Sequence, residues 1–102
     1  MASRLELHDE FCEMLGSSYV YFQPPSSVRI KYPCIIYNLS NIKVSRADGL
    51  AYTLDNEYDV TYIDADPDND IKTLMLKHFP KCRFNRYYTA DNMNHYVYTL
   101  YY

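Results

Sequence analysis

Two stretches of strict alternation constrain this chain most. In Tyr58-Asp59-Val60-Thr61-Tyr62-Ile63, Tyr58, Val60 and Tyr62 fall on one side and Asp59, Thr61 and Ile63 on the other. From His95 to Tyr102, one side carries Tyr96, Tyr98, Leu100 and Tyr102, and the other His95, Val97, Thr99 and Tyr101. A side-chain period of two belongs to strands with two distinct faces. Both stretches lean on tyrosine, which occurs 13 times against 4 Phe and no Trp. Tyrosine joins a large apolar ring to a polar tip. It therefore suits half-buried strands and subunit contacts alike, and the sequence leaves open how the rings divide between the two.

Around these strands the period changes. Leu7, Phe11, Met14 and Leu15 recur at helical spacing, Ser3 and Glu6 match a capping box, and Gly16 suits the position after a helix end. The spacing predicts a helix over 4–15. Ile71, Leu74, Met75 and Phe79 mark a second, shorter helix that Pro80 stops. Tyr19–Phe22 reads as a short strand ended by Pro24-Pro25-Ser26-Ser27. Cys34-Ile35-Ile36-Tyr37 reads as a strand covered on both faces or placed centrally. Asn38–Asn56 has no strong core pattern. With a tip signal at Asp48-Gly49, it reads as a long projecting hairpin or extended loop. In the segment after Pro80, Cys82, Phe84 and Tyr88 alternate with Arg83, Asn85 and Tyr87, but Arg86 falls on the apolar side. Asp91-Asn92-Met93-Asn94 is the last turn. The expected fold is a single α+β domain over 1–102, a mixed or antiparallel sheet with two helices packed on it and a long hairpin.

Composition narrows the function. A 102-residue chain buries roughly 65% of its unfolded surface, enough for one modest core. The net charge of −3 argues against a nucleic-acid binder, which needs a basic stripe. Eight carboxylates and no Lys or Arg lie between Asp48 and Asp70, then five cations and no acid between Lys72 and Arg86. Such an arrangement suits either head-to-tail contact between like subunits or two solvated faces. Cys12, Cys34 and Cys82 are scattered and odd in number, so they read as reduced thiols in a cytoplasm. No apolar stretch approaches a membrane span, and no signal peptide is expected.

Catalytic signals are weak. Asp64 to Asp70 carries alternate carboxylates, but an EF-hand loop would need Gly at 69 and Glu at 75, where Asn69 and Met75 stand. The acids read better as caps of the helix that follows. His8, His78 and His95 fall on three different elements, and neither they nor the cysteines show ligand spacing. Asp91 and His95 bracket a turn and read as a structural hydrogen-bonded pair. With Gly16 and Gly49 as the only glycines, no phosphate loop can be built. Cations and aromatics do interleave over Lys81–Tyr88, as on a single-strand nucleic-acid platform, against the acidic total. The expectation is a non-enzyme without catalytic residues, metal or cofactor.

Several strings together resemble one family. They are Tyr21-Phe22-Gln23-Pro24-Pro25, Lys31-Tyr32-Pro33-Cys34-Ile35-Ile36-Tyr37, Tyr58-Asp59-Val60-Thr61-Tyr62-Ile63-Asp64 with Pro67-Asp68, and the ending from Asp91 to Tyr102. The chain resembles the tail completion, or tail terminator, proteins of siphophages that infect Gram-positive bacteria. That resemblance implies a structural virion protein at the head-proximal end of the tail, made in the host cytoplasm. It implies a hexameric ring that caps the tail tube, ends its polymerisation and meets the head–tail connector or stopper protein. By the same resemblance DNA is expected to pass through the ring without specific binding, and neither cofactor nor membrane is expected. Leu50, Ala51 and Tyr52 of the hairpin, with Tyr96, Tyr98 and Tyr102 of the last strand, are the expected subunit-contact residues. Asp55, Glu57 and Asp59 are the expected channel-facing acids. A head-closure or connector ring component, and a small cytoplasmic regulatory or ligand-binding module, are the alternatives.

Overall fold

The computed structural model describes residues 3–47 and 49–102, with the side chains of residues 45, 47 and 50–54 outside that description. The elements run α1 (Arg4–Leu15), β1 (Val20–Phe22), β2 (Cys34–Ala47), β3 (Leu50–Asp64), α2 (Ile71–His78), β4 (Cys82–Ala90) and β5 (Met93–Tyr101). The five strands form one sheet in the order β1-β2-β3-β5-β4. Only the β1–β2 pairing is parallel. The fold is α+β with a mixed sheet and two helices.

Local chemistry sets the ends of α1. Ser3 Oγ accepts the Glu6 N–H at 3.2 Å, and Gly16, with φ 75°, turns the chain out of the helix. α2 departs from expectation. Asp70 makes no side-chain cap bond; Asn69 Oδ1 accepts the Lys72 N–H instead, at 3.1 Å. The acids before it bond within their own loop, Asp64 Oδ1 accepting from Asp66 N–H and Asp66 Oδ1 from Asp68 N–H, both at 2.9 Å. These are Asx turns, in which a short carboxylate holds the backbone two residues on.

One face of the sheet carries the core. Registers place Ile35 opposite Tyr62, Tyr37 opposite Val60, Val60 opposite Tyr98 and Tyr58 opposite Leu100. Leu7 and Phe11 of α1 and Met75 of α2, with Phe79 just beyond it, join them in one buried cluster. Phe11 meets the rings of Tyr37 and Phe79 edge-on at 5.2 and 5.5 Å. Each such apolar side chain contributes about 1.5–3 kcal/mol through burial. The buried tyrosines keep their hydroxyls satisfied: Tyr98 donates to the Lys72 carbonyl at 2.7 Å, and Tyr62 to Asp64. Burial pushes both hydroxyls well above the usual tyrosine range, so they remain protonated donors.

One sequence reading is corrected by a bulge. In β4, Phe84 opposes Tyr98 while Arg86 opposes Val97, so Asn85 is an extra residue. The bulge reverses the faces beyond it. Tyr87, opposite Tyr96, joins Phe84 on the helix-covered face, and Arg86 and Tyr88 take the other. A second bulge at Ser40 lets Leu39 oppose Tyr58 and Asn41 oppose Glu57. The last turn is tighter than expected: Asp91 and Asn92, at φ 53° and 62°, form a two-residue hairpin.

Candidate functional site

β2 and β3 outrun their neighbours. β1 pairs with β2 only at Ile35–Tyr37, and β5 pairs with β3 only from Glu57 to Asp64. The segments 41–47 and 50–56 pair with each other and, among the described residues, with no third strand, apart from the Asn56 carbonyl, which accepts from the Tyr102 N–H at 3.0 Å. At about 3.3 Å per residue this ribbon extends some 20 Å. The molecule measures 51 × 30 × 23 Å, with a radius of gyration of 14.6 Å against about 13 Å for a compact chain of this length. The expected Asp48-Gly49 tip falls where β2 gives way to β3, with Gly49 at φ 78° and Asp48 outside the described residues.

Register assigns the ribbon's faces. Ile42 and Val44 oppose Asn56 and Leu54, on the same side of the sheet as Leu39 and Tyr58, and Arg46 follows them at the next step of the alternation. Lys43 and Asp55 oppose each other on the other side. Leu39, Ile42 and Val44 are 41%, 49% and 38% exposed. Three aliphatic side chains and a guanidinium therefore form a row, outside the core cluster. An exposed aliphatic row on a two-stranded ribbon adds little to folding stability and suits a contact surface.

The sequence-derived contact residues divide differently. Tyr96 is 7% exposed and Tyr98 fully buried, so the structure assigns both to the core, with Tyr96 stacked on Tyr62 at 5.8 Å. A partner could reach them only by unfolding the sheet. Tyr102 is half-buried, its hydroxyl donating to Glu10 Oε2 while His78 Nε2 sits 3.0 Å from Glu10 Oε1. The bond from Tyr102, then that from His78, holds the Glu10 carboxyl below its usual range; burial, then Glu10, pushes the Tyr102 hydroxyl up to about 12. This clamp ties the last strand to both helices. Leu50, Ala51 and Tyr52 lie on the ribbon backbone, but their side chains fall outside the described residues.

Asp55, Glu57 and Asp59 share the face opposite the helices, yet they do not make a purely acidic surface. Asp55 Oδ1 lies 3.8 Å from Lys81 Nζ, and Lys43 and Arg83 line the same depression. Glu57 accepts from Tyr101 at 2.6 Å and from Ser40 Oγ at 3.0 Å, and these bonds hold its carboxyl below the usual range. Asp59 is exposed between Asn38 and Thr99.

The remaining chemical candidates resolve into structural contacts. His8 Nδ1 meets the Tyr37 hydroxyl at 2.8 Å, which also receives Arg4 Nη1 at 3.2 Å. His95 turns its Nδ1 to the Met93 carbonyl at 3.2 Å and stacks on Tyr88, so it does not bond Asp91. Cys34 is fully buried and Cys12 and Cys82 half-buried. Burial pushes the Cys34 thiol up to about 12 and the Cys82 thiol up to about 11. Thiolate chemistry is thereby suppressed at both. Among the described residues no three His, Cys, Asp or Glu are placed to hold a metal, and no helix is long and apolar enough to cross a membrane.

A shallow groove of about 280 Å³ lies between the helices, lined by Glu10, Glu13, Met14, Leu74 and His78. Sequence reasoning passed over both this groove and the row of Leu39, Ile42, Val44 and Arg46. The alternation Ile42-Lys43-Val44 is the signal that could have found the row, and it is diluted by the polar residues around it. Comparison of the chain with protein-family models and with curated proteins finds no match.

Proposed function

We propose that this protein is a structural subunit that works by assembling with copies of itself. Following the family resemblance of its sequence, we place that assembly at the end of a siphophage tail tube. There it is a ring, hexameric in that family, that caps the tube, ends its polymerisation and offers its other side to the head–tail connector. The observation that carries the self-assembly reading is the ribbon, which holds Ile42 and Val44 in water, with Leu39 exposed at its root, beside a body whose core is already closed. A closed ring repeats one heterologous contact, and a projecting element is a natural half of it. The mixed acidic and basic face around Asp55 and Glu57 supports interaction with protein more than with DNA.

The test is molar mass by light scattering, first alone and then with purified tail-tube protein. A ring-sized species in either condition, with arrest of tube growth in the second, is the expected outcome. A chain that stays monomeric and leaves tube growth unchanged would sink this reading.

A further inference from the structure

We infer that the ribbon of one copy docks in the groove between α1 and α2 of the next. This rests on the reading that the chain assembles with itself. The two surfaces match in chemistry. The ribbon row is aliphatic at Ile42 and Val44 and cationic at Arg46. The groove is floored by Met14 and by Leu74, which is 43% exposed, and is rimmed by the Glu10 and Glu13 carboxylates of α1. α1 carries four acids, Glu6, Asp9, Glu10 and Glu13, against the single cation Arg4, whereas α2 carries Lys72 and Lys77 and no acid, so the negative wall of the groove is that of α1. Glu10 is already engaged by Tyr102 and His78, so Glu13 is the carboxylate assigned to Arg46.

The ribbon does not fill the groove of its own chain. The β2–β3 ladder runs on through its two bulges from Cys34↔Ile63 to Ala47↔Leu50. It therefore leads away from the helices. Folding it back would break the ladder hydrogen bonds that define it, with no third strand there to replace them. A neighbouring copy meets the groove without that cost, and repetition of the contact from copy to copy is the heterologous pattern a ring requires.

The test uses the full chain and two exposed-surface variants, Ile42→Asp/Val44→Asp on the ribbon and Leu74→Asp in the groove. Association is read by light scattering, in the presence of tail-tube protein if only then it occurs. Each variant alone is expected to associate at least about tenfold more weakly than the parent chain, the loss of one good anchor. Mixed together, the two variants are expected to recover one intact contact and form a 1:1 pair that grows no further. That recovery also shows that both variants are folded. Arg46→Glu is expected to weaken association and Glu13→Arg to restore it in the double variant. If the parent chain assembles and both variants assemble equally well, the docking is overturned and the self-assembly reading stands. If the parent chain never associates, both fall.

Discussion

The body of the sheet and the ribbon that leaves it share two strands, β2 and β3, yet they do opposite things with large side chains. Within the body, Tyr37, Tyr62 and Tyr98 are fully buried and each hydroxyl has a partner. Along the ribbon Ile42 and Val44 stand substantially exposed, as does Leu39 at its root. The change happens within a few residues of β2, at the bulge of Ser40, where the flanking strands stop pairing. Burial is thus a property of what lies beside a strand, and an aliphatic residue on a strand without a third partner adds little to stability. Tyrosine fits the body because it fills volume and closes its own hydrogen bond.

This contrast can be broken first at its strongest point. Tyr98→Ala removes a fully buried ring from the centre of the core face and is expected to cost about 3–5 kcal/mol in urea denaturation, close to the whole stability of a small domain. A loss under about 1 kcal/mol would mean that the body is less closed than its burial indicates. Asn94→Ala is expected to cost about 1–3 kcal/mol. Its Nδ2 donates to the Asp64 carbonyl at 3.0 Å, and its Oδ1 accepts from Tyr87 at 2.6 Å. Tyr98→Phe keeps the ring and removes the hydroxyl's bond to the Lys72 carbonyl, for about 1 kcal/mol.

The C-terminal clamp sharpens the comparison through pH. Glu10 has its carboxyl lowered in the folded protein, so its contribution is present above the ordinary value of 4.5 and fades as pH falls below it. Tyr102 has its hydroxyl raised, so its contribution is present below the ordinary value of 10 and fades as pH rises from there towards about 12. Denaturation midpoints should therefore drop at both ends, and Tyr102→Phe should flatten both arms. A variant with unchanged pH dependence would remove the clamp from the account of stability. At the weak end, Ile42→Ser is expected to leave the denaturation midpoint within about 0.5 kcal/mol of the parent. The same substitution should weaken association. Stability and association moving together would erase the distinction between body and ribbon.

Much of the fold was legible because its signals are local. The bounds of α1, its Ser3 cap and its Gly16 exit depend on neighbours within one turn. The core side of β3 was readable from Tyr58, Val60 and Tyr62 alone. The faces of β4 were not, because one extra residue at Asn85 shifts every later side chain, and no local preference marks a bulge. Nor was the candidate contact surface. Tyr96 and Tyr98 looked like interface residues by type, but α2 and β4 cover them.

The sequence by itself determined the helices, the strand faces of β3 and β5 and the α+β class, since each follows from the period of residues close along the chain. Only the tertiary structure decided that β3 lies between β2 and β5, that β1 joins in parallel, and where the sheet ends and the ribbon begins. Those facts depend on pairing between residues tens of positions apart. A strand carries its own pattern of faces, but whether each face is core or surface is set by what packs against it.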